Sequence, residues 1–197
     1  MTTYPTLDRL PTEDPVRRAW SVEQVRQLLD SAGRQLGRYE GVPAGLWWQT
    51  YIRFLWDTGE RAGAAAAIRF DWLEGDIIAI PARARKSHKP AVYRLTAATL
   101  AALESIRRPE RPLVFPWPFC EATRYNVFRR ILRRAGLPAT RKDLSQRLRR
   151  THLTYWAIGG GDPAARAQHS SMALTETFYL DETKLAALDP KAYLPVL

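Results

Sequence analysis

Four short segments, in fixed order along the chain, carry side chains that together suit one kind of chemistry. Arg61 follows the turn-like Asp57-Thr58-Gly59-Glu60, and Lys86-Ser87-His88-Lys89 lies between two β-type runs. Arg149 sits within Arg147-Leu148-Arg149-Arg150-Thr151, and His169-Ser170-Ser171 precedes Phe178-Tyr179. Two guanidinium forks, an ammonium, an imidazole and a phenol suit attack on a phosphodiester. Arginine binds a phosphate bidentately and keeps its charge when dehydrated. A lysine can protonate a leaving hydroxyl if neighbouring cations lower its pKa. A phenol hydroxyl serves as the attacking nucleophile.

Each of these residues also has a plainer reading. Arg61 opens a helix among Ala62, Gly63 and Ala64, and a surface arginine is equally consistent with that segment. The run Arg83-Ala84-Arg85-Lys86-Ser87-His88-Lys89 makes a basic hairpin tip, in which Arg83, Arg85 and Lys89 are expected to touch a nucleic-acid backbone. Arg147 and Arg150 are expected to do the same from a basic helix. Lone histidines such as His169 are more often structural, and a tyrosine between Phe178 and Leu180 is more often core. His88, His152 and His169 lack the helical spacing of a zinc pair, so no metal is expected. Gly159-Gly160-Gly161 has no following lysine and hydroxyl residue, so it is not a nucleotide phosphate loop.

The elements that must position these groups follow from periodicity and punctuation. Residues 1–19 hold Pro5, Pro11 and Pro15 and read as an extended arm. Ser21 with Gln24 is a capping-box start for a helix through Val25, Leu28 and Leu29. Glycines from Gly33 to Gly45 mark a loop. Leu46 to Trp56 is an aromatic helix whose stripe reads as core. After the alanine run 64–67 the period changes. Phe70–Trp72, Ile77–Ile80 and Val92–Leu95 read as three short strands. Thr96 caps a helix through Leu103, and Tyr125–Ala135 is a helix with Arg129, Arg130, Arg133 and Arg134 outward. A helix from Asp143 or Ser145 runs to Ile158, Asp162-Pro163 opens a short one, and Thr175–Leu180 is another. The expected fold is mainly α with a small antiparallel three-stranded β-sheet, an α+β domain over residues 20–180. Residues 181–197 form a C-terminal segment.

The composition narrows the partners. Thirty Lys and Arg against 20 Asp and Glu give a net charge of +10, ordinary for a protein that meets a polyanion. With 46% hydrophobic residues in 197, the chain can bury a core. A single cysteine, Cys120, excludes an internal disulfide. No apolar stretch has membrane-spanning length, and the polar start lacks a signal peptide's apolar centre. The expected location is cytoplasmic and DNA-associated.

In order, these segments resemble the catalytic domain of the tyrosine recombinase (phage integrase) family. Thr58-Gly59-Glu60-Arg61 matches its first box, Lys86 its hairpin lysine, and Gln146-Arg147-Leu148-Arg149-Arg150-Thr151 its second box. Gln168-His169-Ser170-Ser171 matches the third, and Tyr179 the nucleophile. The resemblance runs from about Ala19 to Tyr179. It implies that Arg61 and Arg149 grip the scissile phosphate and His169 donates to a non-bridging oxygen. Tyr179 attacks phosphorus, leaving a 3′-phosphotyrosyl link, and Lys86 protonates the departing 5′-oxygen. No cofactor is implied, and the partner is double-stranded DNA.

Gln146 stands where the family has histidine, Ala64 where it has an acid, and Gln168 where it has glycine. The family's usual N-terminal core-binding domain has no counterpart in the arm 1–19. The resemblance therefore implies DNA strand cleavage and rejoining of the site-specific recombinase type. The alternative is a catalytically impaired, recombinase-derived module that binds DNA or regulates. An unrelated RNA-binding domain is a third reading, without a recognisable RNA motif to support it. The segment 181–197 is expected either to dock on a neighbouring protomer, giving a homo-oligomer on DNA, or to pack on its own core.

Overall fold

The computed structural model describes residues 18–140, 145–167, 180, 181, 184 and 185. Helix α1, Val22–Gly33, starts at the expected capping box: Ser21 Oγ accepts from the Gln24 amide at 3.1 Å, and Gln24 Oε1 accepts from the Ser21 amide at 2.9 Å. Two orphan donors of the first turn are thereby satisfied. Its Val25, Leu28 and Ala32 face inward.

The glycine-rich stretch expected as loop contains a small hairpin. Strands β1, Arg38–Tyr39, and β2, Val42–Pro43, pair antiparallel. Glu40 and Gly41 between them both have positive φ, 44° and 80°, the two-residue turn that matches strand twist. The missed signal was Glu-Gly, because glutamate is an unusual residue for the first position.

Helix α2, Ala44–Thr58, is the centre of the molecule and packs against α1. Trp47, Trp48, Tyr51, Phe54 and Leu55 are all buried, as the aromatic stripe predicts. Trp48 stacks on Phe128 at 5.6 Å between ring centroids, and Trp47 meets Phe115 edge-on at 5.7 Å. Burying such a side chain contributes roughly 2–3 kcal/mol each. The short α3, Ala62–Ala66, follows at once.

Phe70–Trp72 is a 3₁₀ turn rather than the expected strand. The Phe70 amide donates to the Pro112 carbonyl at 3.0 Å, and the Arg107 guanidinium lies 4.3 Å from the Phe70 ring centroid. Those loop contacts hold the segment away from the sheet. The sheet begins later, as β3 (Leu73–Glu74), β4 (Ile77–Ile80) and β5 (Ala91–Arg94) in that order, all antiparallel. Ile78 and Ile80 pair with Tyr93 and Ala91 on the buried face. Helix α4, Ala97–Ile106, starts at the Thr96 cap. Both the Thr96 amide and its hydroxyl donate to Asp57 Oδ2, which ties the end of the sheet to the end of α2.

Helix α5 spans Glu121–Arg134, α6 Ser145–Ile158 and α7 Pro163–Ala167. Asp162 Oδ1 accepts from the Ala164 and Ala165 amides and so starts α7. Helix α6 packs on α2 and gathers both ends of the described chain. Thr151 Oγ1 accepts from the Trp20 amide, Thr154 Oγ1 from the Asp181 amide, and Asp181 Oδ2 from the Ala19 amide. Leu180 is buried against Leu153 and Ala167. The helix expected over 175–180 lies outside the described residues except for Leu180. The C-terminal segment lies outside them too, apart from residues 181, 184 and 185. No helix among the described residues is long and apolar enough to cross a membrane.

Candidate active site

The segment 57–61 is held from several directions. Gly59 ends α2 in the left-handed region, with φ 64° and its amide donating to the Leu55 carbonyl. Thr58 Oγ1 donates to the Phe54 carbonyl and accepts from the Glu60 amide. Arg61 then leaves the turn in extended conformation and precedes α3. Its half-buried side chain lines a pocket of about 190 Å³ together with Gly63, Tyr125, Ser145, Gln146 and Arg149. Two arginines that the sequence sets far apart therefore share one concavity.

Arg149 is 2% exposed. One terminal nitrogen donates to the Gly59 carbonyl at 2.7 Å, the other to the Ala167 carbonyl at 3.0 Å. These carbonyl acceptors orient the guanidinium and fix its fork.

Beneath the pocket lies a carboxylate. Glu60 is 1% exposed and accepts from the Tyr93 hydroxyl at 2.7 Å and the Arg61 amide at 3.0 Å. It forms an ion pair with Arg85 at 2.6 Å. Burial, then the adjoining Glu60 charge, push the Tyr93 hydroxyl far up, so it stays protonated and donates. Ala64 stands where the resemblance expects an acid, and the carboxylate that meets this turn is Glu60 instead.

Of the expected DNA contacts, Arg85 and Arg147 are buried. Arg85 is buried, because its guanidinium is committed to Glu60, to the Tyr93 hydroxyl and to the Lys89 carbonyl. Arg147 is 9% exposed and lies 5.4 Å from the Trp20 ring centroid, a cation on an aromatic face. Arg150 is half-buried and donates to the Arg18 carbonyl at 3.3 Å. Arg83, Lys86 and Lys89 are exposed on the β4–β5 connection, and Arg83 stands 5.9 Å from the Trp72 ring centroid. Gln146 is exposed at the pocket. His169 and Tyr179 lie outside the described residues.

A second polar cluster adjoins the turn, and sequence reasoning missed it. His152 Nδ1 bonds the Trp56 carbonyl at 2.6 Å, and Nε2 accepts from Arg166 at 3.1 Å, which assigns the neutral tautomer with hydrogen on Nδ1. Burial, then the Arg166 charge, lower the His152 pKa to about 4. Arg166 also donates to the Asp57 carbonyl at 2.8 Å and lies between the rings of Tyr93 and Trp156, 4.5 and 4.3 Å from their centroids. No local pattern marks Arg166 or Tyr125, since their neighbours come from distant segments.

No protein-family model matches the sequence, and no curated protein does. Solved structures do match. The XerA recombinase crystal structure superimposes with a TM-score of 0.70 at 19% identity, over 97% of this chain and 68% of that one. The XerH site-specific recombinase bound to palindromic difH substrate, a post-cleavage complex, gives 0.65 at 18% identity, over 86% of this chain but 52% of that one. The catalytic domain of bacteriophage HP1 integrase gives 0.62 at 16% identity, over 90% of this chain and 98% of that domain. The chain thus spans about half of the XerH chain and nearly all of the HP1 catalytic domain. Its fold is that of tyrosine recombinase catalytic domains.

Proposed function

We propose that this chain cleaves and rejoins DNA strands through a covalent tyrosyl intermediate, as site-specific recombinases and integrases do. The observation that carries the reading is the convergence of Arg61 and Arg149 on one cationic pocket within this fold. Two guanidinium groups there bind the non-bridging oxygens of a scissile phosphate and stabilise the charge that grows during attack. His169 adds a third donor. The Tyr179 hydroxyl attacks phosphorus and forms the 3′-phosphotyrosyl bond as the bond to the 5′-oxygen breaks. Lys86, exposed on the β4–β5 connection, delivers a proton to that oxygen. Attack by a 5′-hydroxyl on the phosphotyrosine reverses the steps and conserves the phosphodiester energy, so rejoining needs no ATP.

Support for Tyr179 is indirect but specific. Its neighbour Leu180 packs on Leu153, one helical turn beyond Arg149, and on Ala167, whose carbonyl receives the Arg149 fork. The Tn1549 transposon integrase is seen in complex with circular intermediate DNA and XerH bound to its palindromic difH substrate, which supports duplex DNA as the partner proposed here. The C-terminal segment begins on its own chain, where Asp181 bonds Ala19 and Thr154, and docking on a second protomer is proposed for the remainder of 181–197.

One observation favours the second reading, a DNA-binding module without turnover. The pocket carries Gln146 where the resemblance expects a histidine. Glutamine donates a hydrogen bond but cannot shuttle a proton, and such help is typically worth about 10²–10⁴-fold. A nicked suicide duplex separates the two readings on a denaturing gel. The expected result is a protein–DNA adduct that disappears in Tyr179→Phe. DNA binding with no adduct in the unaltered chain gives the second reading.

A further inference from the structure

We propose that the buried Glu60–Arg85 ion pair is a positioning device that fastens Lys86 to the phosphate-binding turn. The proposal rests on the strand-transfer reading above and adds two residues to it. The pair closes at 2.6 Å, with side chains 1% and 2% exposed, and joins residues adjacent in sequence to Arg61 and Lys86, two of the three cations proposed for the reaction. Glu60 precedes Arg61, and Arg85 precedes Lys86.

The backbone explains why this adjacency matters. Arg61 and Arg85 both have extended dihedrals, φ −71° and ψ 146° for one, φ −121° and ψ 139° for the other. Successive side chains on extended backbone point to opposite sides. Glu60 and Arg85 turn inward and meet, and their followers turn out, Arg61 to the pocket and Lys86 to solvent. Arg85 also clasps its own loop, donating to the Lys89 carbonyl at 2.9 Å, while the His88 amide donates to the Arg85 carbonyl at 3.1 Å. The tip Lys86-Ser87-His88 is therefore closed by Arg85, through its backbone carbonyl at His88 and its guanidinium at Lys89, and that guanidinium is anchored by Glu60 of the Arg61 turn.

Stability alone is a poor reason for such a pair. A buried ion pair loses much of its Coulombic gain to desolvation, and well-packed apolar replacements are often neutral or stabilising. What an apolar pair does not reproduce is the set of directed bonds through Glu60 to Arg61 N and Tyr93 Oη, and through Arg85 to Lys89 O.

The test exploits the leaving group. An alkoxide departing from phosphorus needs the Lys86 proton. A 5′-bridging sulfur departs as a thiolate, with a pKa of about 8.5, and needs none. Adduct formation is measured on two nicked suicide duplexes, one with oxygen and one with sulfur at the scissile 5′ position. The full chain is compared with Glu60→Gln, with the apolar double variant E60L/R85M, and with Lys86→Met as reference. Both pair variants are expected to lose about 10²-fold on the oxygen substrate and to stay within several-fold of the unaltered chain on sulfur, as Lys86→Met does. Equal losses on the two substrates, or no loss on oxygen, overturn the positioning role and leave strand transfer intact. If the unaltered chain forms no adduct on either duplex, strand transfer itself fails and the proposal falls with it. Thermal melting of E60L/R85M confirms that the compared proteins are folded.

Discussion

The carbonyl of Gly59 accepts a 2.7 Å hydrogen bond from the guanidinium of Arg149, ninety positions downstream. The residue that ends α2 thus aims the arginine that α6 supplies. It does so in a conformation that suits glycine, with φ 64°, and with its Cα against the His152 ring, where a Cβ would overlap Cδ2. Helix termination and the geometry of the arginine pocket are one feature here.

Gly59→Ala therefore combines a left-handed residue penalty of roughly 1–2 kcal/mol with a steric overlap. A loss of about 2 kcal/mol or more in urea unfolding is expected. Gly63, four residues on and within α3, has an ordinary φ and open space where a Cβ would go. Gly63→Ala should hold or raise stability by up to about 1 kcal/mol. Equal effects at the two positions would discount the special conformation of Gly59.

His152 makes stability depend on acid. Its folded pKa is about 4, depressed first by burial and then by the Arg166 charge, against an ordinary value of about 6.5. Between those values the unfolded chain binds the extra proton, so the contribution is full above about pH 6.5 and is lost as pH falls toward 4. This single group accounts for about 2 kcal/mol lost by pH 5. His152→Gln keeps a donor for the Trp56 carbonyl and an acceptor for Arg166 but does not titrate in this range. Denaturant melts at pH 7 and pH 5 should show a smaller acid loss in that variant, and an unchanged loss would remove His152 as the cause.

What the sequence made legible was local or periodic. The Ser21–Gln24 capping box needs only four residues, and the α2 aromatic stripe only one helical period, so both appear in the structure where expected. The Arg61 and Arg149 segments came from order along the chain. Their meeting in one pocket is a tertiary fact that no local pattern contains. The differences from the sequence reading share a cause. Arg85 looked like a solvent-facing tip residue because its partner Glu60 sits in another turn, and Arg147 because Trp20 comes from the far end of the chain. Phe70–Trp72 has strand-like composition, but a bond to Pro112 decides its conformation.

Gln146 gives a prediction in the opposite direction from the usual loss of function. It is exposed and lines the pocket with Arg61 and Arg149, so a larger ring is accommodated without opening the core. A histidine there supplies a group that titrates near neutrality. Gln146→His should raise the rate of adduct formation on a nicked duplex by about tenfold or more, within the range general acid–base groups provide. It should also introduce a pH dependence between 6 and 8. An unchanged rate would take position 146 out of the chemistry.

If duplex DNA fills the pocket as proposed, helix α5 is the surface along which it would leave. Tyr125, in its first half, lines the pocket, and Asn126, Arg130 and Arg133 follow at helical spacing around an open hollow of about 330 Å³. Arg130 and Arg133 are exposed, so replacing both by glutamine should leave the melting temperature nearly unchanged. If both contact phosphates, each releases about 0.9 counterion equivalents on duplex DNA. The slope of log affinity against log salt should then become shallower by about 2, with affinity falling by similar factors on unrelated sequences. An unaltered slope would mean that the duplex leaves the pocket by another face. The exposed Arg83, Lys86 and Lys89 on the β4–β5 connection would then be the next cations to replace.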